Sequence, residues 1–100
     1  MLSVPRLADF ETVLKIYYEN TEIGQQKIKE LFVPDKGKCI SSATVRRLFL
    51  AAEAEEVKRG TMKWSSHRVN TRIAFEVWGI DIEDVERRKK KLDKLFMKGA

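Results

Sequence analysis

The chain has 100 residues, 43% of them hydrophobic and 35% charged, and carries a formal net charge of +5. That length suits one domain with a single core, and the apolar share excludes disorder as the starting expectation. With only two prolines and five glycines among many strong helix formers, an all-α fold is expected rather than a sandwich or barrel.

The first helix is expected over Leu7 to Glu19, where Leu7, Phe10, Val13, Leu14 and Tyr17 recur at helical spacing. Asp9 and Glu11 suit its positive end. A second helix, from about Glu22 to Phe32, follows Thr21 as a candidate cap and stops before Pro34. The segment "VPDKGKC" reads as a loop with a turn at Asp35 to Gly37. A third helix starts at Ser41 or Ser42, turns Val45, Leu48, Phe49 and Ala52 inward, and ends at Gly60. Leu50 lies off that stripe, so the middle of this helix is central or part of an interface. A fourth helix is expected from Ser65 or Ser66 to Trp78, polar in its first two turns and apolar in its last, with Gly79 as its stop. Asp81 caps a fifth helix reaching about residue 97, with Val85, Leu92, Leu95 and Phe96 as a thin apolar stripe. No strand is evident, and Trp64 and Trp78 are read as core anchors.

Charge is unevenly spread. Residues 1–40 hold six basic and six acidic side chains, whereas Lys58, Arg59, Lys63, Arg68 and Arg72 follow one another with no acid between them. Two helix starts, "SSATVRR" and "SSHRVNTR", combine capping serines with arginines. Free amides and the helix dipole at such a tip favour phosphate, and projecting side chains reach base edges in a major groove.

The residues "IGQQKIKELF" and "ISSATVRRLF" resemble the helix-turn-helix of bacterial and phage transcription regulators. The resemblance covers about a quarter of the chain. It makes Ile28, Leu31 and Phe32 part of a first helix and Ser41 to Leu48 the start of a recognition helix, in a unit of about residues 22–59. It implies contacts to phosphate or base edges from Ser41, Ser42 and Thr44, and charged contacts from Arg46 and Arg47.

The second tip offers Ser65, Ser66, His67 and Thr71, with Asn70 and Arg72 as the types that read adenine and guanine and Lys58, Arg59, Lys63 and Arg68 as backbone contacts. Both tips are expected to point outward from one side and to straddle a duplex. The plainer alternative is that the serines only cap and the arginines pair with Glu53, Glu55 or Glu56.

One histidine, His67, and one cysteine, Cys39, exclude an ordinary zinc site and an intramolecular disulfide. No glycine-rich phosphate loop occurs, and no catalytic constellation or cofactor site is visible. The longest apolar run, Leu48 to Ala52, is too short to span a bilayer, and the opening residues lack a signal-peptide layout. The expectation is therefore a cytoplasmic bundle of four to five helices containing a helix-turn-helix-like unit. It is expected to bind double-stranded DNA as a small regulator or accessory factor, from a phage or mobile element by resemblance and size alone, with no membrane partner. Leu50 and the last helix leave room for a homodimer. A helical protein-interaction module and an RNA-binding protein are the alternatives.

Overall fold

The computed structural model describes residues 5–34, 40–62 and 64–98. The expected turn at Asp35 to Gly37, Cys39, Lys63 and the side chain of Phe96 lie outside the described residues. The described chain is mainly helical: α1 (Phe10–Glu19), α2 (Gln25–Leu31), α3 (Ser42–Arg59), α4 (Thr71–Val77) and α5 (Ile82–Lys98).

Four two-residue strands, unexpected from the sequence, tie these helices together: β1 (Arg6–Leu7), β2 (Glu22–Ile23), β3 (Phe32–Val33) and β4 (Val69–Asn70). They form two antiparallel pairs, β1 with β3 and β2 with β4. Leu7 faces Phe32 in the first pair, and Ile23 faces Val69 in the second. Each pair spends backbone groups that helix ends would otherwise leave unmet. The amides of Ala8 and Thr71 extend this by donating to the carbonyls of Leu31 and Thr21, at 2.8 and 3.0 Å.

Local chemistry fixes the helix ends. Asp9 caps α1 by accepting the Thr12 amide at 2.9 Å. A hydrogen bond from the Thr12 side chain, then the one from its backbone amide, holds the Asp9 carboxyl below the usual carboxylate range. Helix α1 therefore begins at Phe10, three residues after the expected start. Thr21 does not cap α2; Gly24 occupies that position without a side-chain bond. Helix α3 opens on Ser41, whose hydroxyl accepts the Thr44 amide at 3.2 Å, and closes on Gly60 in the left-handed conformation with φ 67°. Asp81 caps α5, accepting the Glu83 and Asp84 amides at 3.0 and 3.4 Å.

The core draws on every helix: Val13 and Ile16 from α1, Ile28 and Leu31 from α2, Val45, Leu48 and Ala52 from α3, Ala74 and Phe75 from α4, and Val85 from α5. Trp78 is the buried aromatic anchor, its ring edge-on to Phe32 at 5.6 Å and its Nε1 donating to the Leu48 carbonyl at 2.9 Å. The expected second anchor is absent from the core: Trp64 is 80% exposed. Among the described residues, no helix is long and apolar enough to cross a membrane.

Candidate nucleic-acid interface

Helix α3 spans 18 residues, about 27 Å. Its buried side is Val45, Leu48, Phe49, Ala52 and Glu56. Because those positions return every three or four residues, the opposite side is a continuous solvent stripe. Ala43, Arg46, Arg47, Leu50, Ala54, Val57 and Lys58 are its exposed residues; Ser42 and Arg59, at the two ends of the helix, are exposed as well, and none of these is acidic. Of the three glutamates of "EAEE", Glu56 is buried, and Glu53 and Glu55 are half-buried at the two edges of the stripe, Glu53 on the side of Arg46 and Val57. Glu56 accepts the backbone amide of Asn70 at 2.9 Å, and Glu55 accepts Arg59 Nε at 2.9 Å.

At the start of α3, Ser41 and Thr44 use their hydroxyls on each other at 2.9 Å, besides the cap. Ser42 is exposed and Thr44 half-buried. Arg46 and Arg47 stand one turn further along, both exposed.

The second serine-led segment folds differently from the expected tip. Ser65 and Ser66 do not start a helix. The Ser65 hydroxyl accepts the His67 amide at 3.3 Å, and its carbonyl accepts the Arg68 amide at 3.3 Å, closing a local turn. Pairing of Val69 with Ile23 keeps the next two residues extended. Asn70 then takes the cap, its Oδ1 accepting the Ile73 amide at 3.0 Å, so α4 begins at Thr71. The fold uses one expected base reader, Asn70, as a helix cap and buries another expected contact, Thr71. Asn70 is half-buried with its carbonyl oxygen engaged, and Thr71 is 2% exposed with its hydroxyl lacking any hydrogen-bond partner.

Arg59, an expected backbone contact, and Arg72, an expected base reader, both meet acidic partners. Arg59 reaches Glu76 as well as Glu55, with Nη1 2.7 Å from Glu76 Oε2. The hydrogen bond to Glu76, then that to Glu55, raises the guanidinium pKa further. Arg72 lies 3.7 Å from the other Glu76 oxygen. Lys58, Ser66, His67 and Arg68 are exposed, while Ser65 is half-buried.

The two candidate regions do not form one pair of tips. The Asn70–Glu56 bond seats the start of α4 beside the last turns of α3, fourteen residues from Ser42, or about 21 Å along its axis. What joins the regions is the solvent stripe of α3, whose far end carries Val57 and Lys58.

Sequence reasoning set Leu50 off the buried stripe, as central or part of an interface, but passed over Ala54 and Val57 as members of that face. The spacing of four and three residues from Leu50 through Ala54 to Val57, in phase with Ala43 and Arg47, was the signal that could have found them. Met62 and Trp64 were missed as surface residues; they are 69% and 80% exposed. The class that the fold defines is a mainly helical domain braced by two short strand pairs. The chain matches no family model, no curated protein and no solved structure.

Proposed function

We propose that this chain binds double-stranded DNA through the solvent stripe of α3, in the manner of a small helix-turn-helix-type regulator or accessory factor. The observation that carries the reading is a helix of 18 residues whose exposed side chains include arginine, lysine, serine and small apolar groups but no acid. A major groove admits one helix, and its walls are phosphates that an acidic face would repel. Arg46 and Arg47 supply guanidinium forks for guanine edges or phosphate, and Ser42 a hydroxyl for the backbone. Leu50 and Ala54 suit the thymine methyl. Lys58, Arg68, Ser66 and His67 extend backbone contact past the end of the helix, while Arg59 and Arg72 remain committed to Glu55 and Glu76.

The test is selection of a bound site from a random duplex pool, followed by polarisation titrations on duplex DNA, its single strand and an RNA duplex. Duplex DNA should bind most tightly. Arg46→Ala and Arg47→Ala should each raise Kd on the selected site by about 5- to 150-fold, the equivalent of a lost bidentate base contact of roughly 1–3 kcal/mol. Unchanged affinity in both variants would remove α3 from the interface. Tighter binding of the RNA would turn the reading to RNA. If none of the three binds at low salt, protein association takes its place, through Leu50, Leu92 and Leu95, which are 47%, 42% and 68% exposed.

A further inference from the structure

Beyond the end of α3, residues 60–62 and 64–68 form a loop that leads to β4. Among them Trp64 is 80% exposed and Met62 69%, and Val57, on the last turn of α3, is 77% exposed. Tryptophan is a large side chain that a fold ordinarily buries, so such an exposure points to a surface awaiting a partner.

The backbone carrying the indole is held at several points. The Thr61 amide donates to the Glu56 carbonyl at 3.0 Å. The Trp64 amide donates to Glu22 Oε2 at 3.2 Å, which ties the loop to β2. Downstream come the Ser65 turn and the β2–β4 pair. The loop also lies close over Gly24, where an added Cβ would stand 3.4 Å from the His67 carbonyl oxygen. An indole on a braced backbone is presented at low ordering cost, which favours recognition.

Its electrostatic setting selects the partner. Lys58, His67 and Arg68 are exposed on the flanking segments, no acidic residue occurs in the sequence between Glu56 and Glu76, and the one carboxylate bonded to the Trp64 backbone, that of Glu22, accepts its amide. Val57 and Lys58, exposed on the last turn of α3, are the residues of its stripe nearest to Trp64 along the chain. An anionic partner with flat, stackable groups meets all of these features at once.

We propose that Trp64 is a second nucleic-acid contact, its indole set against the bases of the duplex whose neighbouring segment faces α3. This rests on the DNA-binding reading. Apolar side chains wedge at base steps, and aromatic rings gain from stacking on bases.

The experiment uses the full chain and a labelled mixed-sequence duplex of about 20 base pairs, enough for nearly two helical turns. Trp64→Ala should weaken binding by about 5- to 150-fold, the range for loss of one aromatic–base contact, with an unchanged melting temperature. Trp64→Phe should fall between, because a ring remains. Duplex should quench the tryptophan emission of the parent chain, and Trp64→Phe, which keeps buried Trp78, should lose that quenching. If the parent binds duplex while Trp64→Ala binds equally and no quenching occurs, the inference fails and the α3 reading stands. If the parent binds no duplex, both fall. Equal quenching by polyglutamate at matched charge would also overturn the inference, assigning the indole to an acidic protein surface.

Discussion

Glu56 and Thr71 are the two polar side chains among the described residues that the fold buries, each 2% exposed, and they differ in how they are satisfied. Glu56 accepts the Asn70 amide at 2.9 Å, pinning the start of α4 to α3. Its burial also keeps a carboxylate off the face proposed for DNA. Glu56→Ala should leave that amide unmet and destabilise the protein by about 1–3 kcal/mol. Glu56→Gln keeps an acceptor of the same shape and should lose less. Urea unfolding checks this as a shift in midpoint at constant m-value; equal loss in both variants would assign the effect to charge rather than to the hydrogen bond. Thr71, by contrast, has a hydroxyl without a partner. Its place in "NTR" read as a polar contact only because a sequence does not reveal which side of a short helix faces inward.

At the scale of elements, α3 was the most legible part of the chain. A serine cap, a buried stripe at regular spacing and a terminal glycine all lie in adjacent residues, and the helix runs between those marks. The terminal glycine carries a specific cost. Gly60 has φ 67°, and an added Cβ would meet nothing within 4 Å. Gly60→Ala should therefore cost only the backbone penalty of the left-handed conformation, roughly 1–2 kcal/mol. Thermal unfolding should show that loss without loss of helix content; an unchanged melting temperature would mean that the cap relaxes at no cost. The fifth helix was legible for the same reason, Asp81 standing directly before it. The strands were not. Two residues are too few to show an alternating pattern, and their pairing depends on partners 25 or more residues apart in one case and 46 or more in the other. The β2–β4 pair also explains the misplaced start of α4, since Val69 must stay extended to meet Ile23, and only after it can Asn70 cap.

On the scale of the whole molecule, the basic run from residue 58 to 72 looked uniform in sequence. In the fold it divides. Arg59 is bonded to Glu55 and Glu76, and Arg72 approaches Glu76, so these two charges are offset by acids from outside the run and from α3. Lys58 and Arg68 are exposed at the far end of α3 and beyond it, as Arg46 and Arg47 are near its start. Phosphate binding by lysine and arginine releases counterions, so each contact adds about 0.9 to the slope of log affinity against log salt. Replacing Arg46, Arg47, Lys58 and Arg68 by glutamine should lower that slope by up to roughly 3.6. Replacing Arg59 and Arg72 should change it little, while loosening the contact between α3 and α4. Titrations from about 50 to 200 mM salt separate the two sets. A slope that responds equally to both would mean that Glu76 releases its arginines when duplex arrives. The interface would then extend from α3 across the start of α4, reaching the region that the sequence had marked as a second tip.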